Sequence, residues 1–186
     1  MIGTGLIALC YMYNWQIPWK FKVDLDKLPA IPEVVTHFLI LLVCEDFCFY
    51  FTHRAFHHPL LYKRFHKQHH EINHNVSVAA LACHPVEFIV SDLYSPFSGI
   101  VLLGSRLHAL TLILYHAWRV FEGHEVHCGY DFPWSVFRVI PLQSDATYHD
   151  FHHSRNVGNF ASSLTIWDTI CGTNTVYYEY LEKRNG

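Results

Sequence analysis

Three short clusters hold eight of the sixteen histidines: His53-Arg-Ala-Phe-His57, His66-Lys-Gln-His69-His70 and, about eighty residues further on, His149-Asp-Phe-His152-His153. An α-helix turns about 100° per residue, so positions i, i+3 and i+4 share a face, and the spacing predicts that each cluster aims its rings at one point. That is the spacing of metal ligands. Neutral imidazole suits iron, copper, nickel and zinc alike, so the ligand type does not name the metal. Its number says more. One zinc takes four donors in a structural site and three plus a water in a catalytic one, so eight imidazoles imply two metals. His124 and His127, at i and i+3, offer one or two further donors. Isolated histidines such as His37, His58, His108 and His116 read as ordinary helix or surface residues.

Composition places these clusters in a membrane protein. Charged residues make up 16% of the 186 residues, against roughly 25% in soluble domains, and the aromatic share is also 16%. The mean hydropathy is positive, +0.12. The formal net charge of −3 carries no basic tract, which excludes a nucleic-acid partner as a reading. Six scattered cysteines form no CxxC pair and read as reduced, mostly buried thiols. The whole of 1–186 reads as one domain, without internal repeats or low-complexity segments. Residues 1–13 are apolar but too short for the twenty or so needed to span a bilayer, and they lack the pattern of a secretory signal. The chain is therefore expected to lack further N-terminal transmembrane helices or to begin inside a longer hydrophobic region.

The elements that must position the histidines follow from the apolar runs. Residues 15–32 read as a proline-containing surface loop, and a long apolar helix starts near Glu33 and carries His53 toward its end. Asp46 lies two turns before His53 on the same stripe, and an acid in an apolar helix needs a partner. The partner expected here is a ligand histidine, oriented by the carboxylate. Pro59 ends that helix. Residues 60–71 predict a short polar helix on the membrane surface, with Lys63, Arg64 and Lys67 near headgroups, and 72–83 a linking loop. His84-Pro85-Val86-Glu87 opens a second apolar stretch, with proline suited to the first helical turn. The runs 86–103 and 107–120, broken at Gly104-Ser105-Arg106, predict a hairpin of two apolar helices. Such a hairpin returns the chain to the side it left, which lets the third cluster meet the first two. Residues 156–175 are expected to cap the site, followed by a polar tail. The fold class is all-α: an integral membrane helical bundle under a histidine-rich two-metal cap facing the cytosol.

In this order, HRAFHH, HKQHH, ACHPVE, HCGYDFPW, YHDFHH and GNFASSLTIWDTICGT resemble the fatty acid hydroxylase superfamily, and within it the sterol C4-methyl oxidases, from about residue 33 onward. The resemblance implies an endoplasmic-reticulum membrane enzyme with two iron ions on the cytosolic side. It further implies O2 as co-substrate and electrons from NAD(P)H delivered through cytochrome b5 and its reductase. Carried over by motif, the ligands would be His53, His57, His66, His69, His70, His127, His149, His152 and His153. His84 falls on another family histidine, and His124 does not fall on a usual one; both stand as further candidates. The stretch between HKQHH and ACHPVE departs from the sterol-oxidase pattern, where an acid often stands near Leu81.

The chemistry implied is attack on an unactivated C–H bond, which no side-chain acid, base or nucleophile can make. A redox cofactor must supply it, while the protein binds, orients and excludes water. Zinc has no redox chemistry. The expected reaction is hydroxylation and further oxidation of a sterol C4 methyl. Alternatives are hydroxylation or desaturation of another lipid and, from a different class, a membrane zinc-binding or zinc-transport protein. Trp118, Phe121, Tyr130, Phe132 and Trp134 are expected to line the route of a flat apolar substrate.

Overall fold

The computed structural model describes residues 27–72 and 76–186, and every regular element among them is helical. The apolar stretch 1–13, Cys10 and most of the expected surface loop lie outside the described residues. Helix α1 runs Ile31–Phe56, opened by Pro32, whose missing N–H costs nothing in a first turn. Pro59 forces the residue before it out of the helical region, so His58 is extended (ψ 137°) and caps the next helix through its ring. That helix, α2, covers 59–70 and passes through a π-turn at Tyr62–His66. A 3-10 turn, Ser77–Leu81, lies inside the expected linking loop.

The hairpin is present. Its first arm, α3, is Pro85–Arg106 and includes a π-turn at Phe88–Leu93. Gly104, at φ +54°, makes the reversal, a conformation a side chain would strain. The second arm, α4, is Ala109–Val126, longer than the apolar run alone predicts. His84 caps α3 by accepting the Val86 N–H at 3.1 Å, and His108 caps α4 by accepting that of Leu110 at 3.1 Å.

α1 and the hairpin meet along a seam of Leu41, Leu42, Ile100, Leu103, Leu107 and Tyr115. Close approach requires Gly99, where a Cβ would stand 3.0 Å from the Leu41 Cα. On the other side of α1, Val35, Leu39, Val43, Phe47 and Phe51 recur every fourth residue and are each about half exposed. α1 and α3 are both long and apolar enough to cross a membrane, and only 28% and 33% of their apolar windows are buried, so most of that surface faces outward.

α4 continues past its apolar run because its polar residues find partners inside. Arg119 donates to Glu45 of α1 at 2.8 Å, to Ser162 at 2.7 Å, and to Glu122 and Ser163. Tyr115 donates to Glu45 and Gln143 to Glu122. This cluster ties α1 and α4 to the loop 156–165. α5 (Ala146–Arg155) is capped by Asp145, which accepts the Tyr148 N–H at 2.8 Å, and ends at Asn156 in the left-handed region. α6 is Ile166–Cys171. The expected polar tail is instead a helix, α7 (Thr175–Asn185), held because Tyr177 packs its ring edge-on against Tyr148 and Phe151.

Candidate metal centre

All nine histidines of the three clusters and of His127 converge, but not cluster by cluster. His53, His57, His66, His70 and His152 form one group and His69, His127, His149 and His153 another, each with its ring nitrogens within 4.8 Å of one another. The expectation that each cluster serves one point is corrected here. In HxxHH the first and last histidines are four residues apart and nearly eclipsed, whereas the last two are consecutive and diverge by about 100°. So His66 and His70 of α2 face the first group while His69 faces the second. In α5 the assignment reverses: His149 and His153 face the second group and His152 the first. The groups share a wall, with the His70 and His153 rings stacked at 4.6 Å and the His69 ring 5.6 Å from that of His70.

α1 brings His53 and His57 to the first group, and the end of α4 brings His127 to the second. Eight of the nine are buried, and His57 is half-buried.

The donors have the chemistry of ligands. His53 Nδ1 meets the Phe160 carbonyl at 2.8 Å, His152 Nδ1 that of Gly158 at 2.6 Å, and His127 Nδ1 that of Gly123 at 2.7 Å. His66 Nδ1 meets Glu87 Oε1 at 2.6 Å. A neutral ring that donates from Nδ1 has only a lone pair at Nε2. Yet Nε2 of His53 lies 3.2 Å from that of His66, and His57 Nε2 lies 2.8 Å from that of His66 and 3.2 Å from that of His152. In the second group, Nε2 of His149 is 2.9 Å from that of His127 and 3.0 Å from that of His153. His53 and His66 both donate from Nδ1, so this pair sets two lone pairs face to face, which repel unless a cation lies between them. Two nitrogens about 2.1 Å from one ion are about 3.0 Å apart at a right angle and about 3.4 Å at a tetrahedral one. The observed separations fit such an ion.

Protons do not supply the cation. Burial, reinforced by the neighbouring imidazoles, holds His57, His66, His69, His149, His152 and His153 well below the ordinary histidine range. Burial likewise pushes His70 down to about 4 and His127 down to about 4. Uncharged imidazoles are the form that binds a metal.

The fatty acid hydroxylase family model matches residues 38–173. The chain belongs to the fatty acid hydroxylase family. Among curated proteins it is similar to methylsterol monooxygenase 1 of Rattus norvegicus, 36% identical over 178 residues, covering 96% of this chain and 60% of the relative. Methylsterol monooxygenase 2-2 of Arabidopsis thaliana is 37% identical over 153 residues, 81% of this chain and 56% of the relative. The C-4 methylsterol oxidase erg25 of Schizosaccharomyces pombe is 30% identical over 158 residues, 84% and 53%. The chain thus spans between 53% and 60% of these relatives. No solved structure matches it.

Three of the candidate residues, His84, His124 and Asp46, stand apart from the two groups. His84 spends its ring on the α3 cap and packs on Phe65. His124 Nδ1 meets the Val120 carbonyl of its own helix at 2.7 Å. Asp46 does not reach a histidine: it faces the loop 156–165 and accepts the Ser163 N–H at 2.7 Å. The carboxylate that does back a ring is Glu87, missed in the sequence although the argument used for Asp46 applies to it equally, as a buried acid at the head of an apolar helix. A cleft of about 380 Å³, lined by His57, Tyr62, Lys63, Asn156, Val157 and Phe160 among others, reaches the first group. None of the five aromatics expected along a substrate route lines it. Trp118 is packed edge-on against Phe38 and Phe137 instead.

Proposed function

We propose that this chain is the histidine-box region of a membrane oxygenase in which the nine histidines hold two iron ions. The observation that carries the reading is the convergence of nine neutral imidazoles, from four separate parts of the chain, into two adjoining groups whose ring nitrogens face one another. Five donors in the first group exceed the four that zinc takes, which favours iron over the zinc alternative. Iron bound there would supply the redox chemistry with O2 that breaks an inert C–H bond.

The chain's own residues do the rest. The Phe160, Gly158 and Gly123 carbonyls and the Glu87 carboxylate fix four rings with Nε2 directed inward, which sets their tautomer and orientation before a metal arrives. Burial keeps the imidazoles uncharged at neutral pH, and the cleft beside His57 opens onto the first group. The outward apolar faces of α1 and α3 hold the site at the rim of a bilayer, within reach of a lipid.

The substrate we propose is a sterol bearing a C4 methyl, which is hydroxylated and oxidised further. The similarity to proteins named methylsterol monooxygenase and C-4 methylsterol oxidase supports it. Electrons come from NAD(P)H through cytochrome b5 and its reductase, and the site faces the cytosol from the endoplasmic-reticulum membrane, as the motifs imply. Lipid profiling of cells lacking the gene tests the reading: 4-methylsterols accumulate and fall again when the full-length protein is restored. An unchanged sterol profile with an altered fatty-acyl or sphingolipid profile would replace the sterol with that lipid.

A further inference from the structure

Asp168 touches none of the nine imidazoles, yet its fully buried carboxylate stands one peptide group behind His53. Its Oδ1 accepts the Phe160 N–H at 2.9 Å and the Thr173 hydroxyl at 2.6 Å. Its Oδ2 accepts the Ala161 N–H at 2.8 Å and the Tyr148 hydroxyl at 3.0 Å. Four donors on two oxygens suit the ionised form, which is acceptor-only; a protonated carboxyl would turn its own O–H toward one of them.

The Ala161 N–H and the Phe160 carbonyl belong to the same peptide unit, and that carbonyl accepts from His53 Nδ1 at 2.8 Å. The C–N bond of a peptide has partial double-bond character, so negative charge at the N–H end shifts electron density to the oxygen. Hydrogen bonds in such a chain polarise one another, more so in a buried site. The sequence Asp168 carboxylate, Ala161 N–H, Phe160 carbonyl, His53 imidazole therefore has the polarity of the direct pair that Glu87 makes with His66, with one amide inserted. The same carboxylate steadies the loop from its other side. The Thr173 carbonyl accepts the Asn159 N–H at 3.1 Å, and Gly158, whose Cβ would stand 2.1 Å from that carbonyl, presents its own oxygen to His152.

We infer that Asp168 is a positioning residue that acts through the Phe160–Ala161 peptide to make His53 a stronger donor in the five-histidine group. This rests on the reading of that group as a metal site. Groups directly behind a ligand change metal affinity by about 10–100-fold when removed, and one relayed through an amide belongs at the low end.

The test uses the full-length protein in detergent, loaded with iron under anaerobic conditions, with two readouts: the rate at which a chelator extracts each iron equivalent, and the reduction potential. Asp168→Asn keeps the shape and removes the charge. It releases one of two equivalents roughly tenfold faster, leaves the other unchanged and raises the potential of the affected iron. Tyr148→Phe removes a competing donor from Oδ2 and leaves more of its charge to the Ala161 N–H, so it slows release of that same equivalent. A role confined to holding the loop together makes both variants faster and moves both equivalents. Unchanged release and potential in folded Asp168→Asn, or a shift of the same sign in both variants, overturns the inference. Should Asp168→Asn fail to fold, Tyr148→Phe decides alone, slower release supporting the relay and faster or unchanged release refuting it. If the wild-type protein holds fewer than two metal equivalents, it is the reading of the histidine groups that fails.

Discussion

His69 and His70 are neighbours in sequence and belong to different groups, which makes their separate replacement by alanine a sharp test of the site. His69→Ala leaves three donors in the four-histidine group, whereas His70→Ala leaves four in the five-histidine group, still the complement of an ordinary tetrahedral site. Structural zinc held by four protein ligands binds with about 10–16 kcal/mol, or about 2.5–4 kcal/mol per donor if shared equally. At about 1.4 kcal/mol per factor of ten, losing one donor costs roughly 10²–10³ in affinity. Three remaining donors then lose their ion to a competing chelator and four retain it. After passage over a chelating resin, metal analysis of the folded variants is expected to give about one equivalent per chain for His69→Ala and about two for His70→Ala. Equal loss from both variants, or greater loss from His70→Ala, would refute the division of the HxxHH cluster between two groups.

Three further outcomes follow from the same geometry. Arg119→Met leaves Glu45 and Glu122 buried without their cation, so the folded protein loses about 3–5 kcal/mol, measured by denaturant or thermal unfolding in detergent; a loss below about 1 kcal/mol would mean the acids are not held by this arginine. Gly158→Ala places a Cβ 2.1 Å from the Thr173 carbonyl at φ +61°, and the loop must shift. The expected result is a loss above about 2 kcal/mol together with weakened metal retention, since Gly158 orients His152. The metal-free protein is acid-labile. Its buried histidines stay neutral when folded but bind protons when unfolded below the ordinary value of 6.5, so their contribution is complete above about pH 6.5 and is lost as pH falls toward 4. His70 and His127, each held down to about 4, account for about 3 kcal/mol apiece across that window. Unfolding free energy that stays flat from pH 7 to pH 4 would contradict the burial of these rings.

The histidine spacing made the converging rings legible, and their number pointed to two groups, because helical periodicity converts i, i+3 and i+4 directly into a shared face. The same periodicity contains the 100° divergence of His69 from His70 and of His152 from His153. Which partner each direction meets depends on how α2 and α5 oppose one another, and that is tertiary information. The hairpin was readable from two apolar runs and the glycine between them. The extent of α4 was not, since Arg119 and Glu122 read as polar positions until Glu45, on a helix far away in sequence, is known to face them. The groups that orient His53, His127 and His152 are backbone carbonyls, which every residue carries and no sequence pattern marks. Glu87 was within reach of the reasoning applied to Asp46, whereas the acceptance of the Ser163 N–H by Asp46 required knowing where loop 156–165 lies. α7 escaped notice although Tyr177, Tyr180 and Leu181, at i, i+3 and i+4, carry its packing against Tyr148 and Phe151, because the charged residues around this short stripe read as a tail.

The central claim is that two redox-active metals occupy two adjoining imidazole groups. Metal analysis of the full-length protein purified from iron-supplied cells, combined with Mössbauer spectroscopy after loading with ⁵⁷Fe, tests it most directly. The account predicts about two irons per chain in nitrogen-rich, inequivalent environments, five donors against four. Zinc in place of iron, or a single metal per chain that no reconstitution raises, would contradict it.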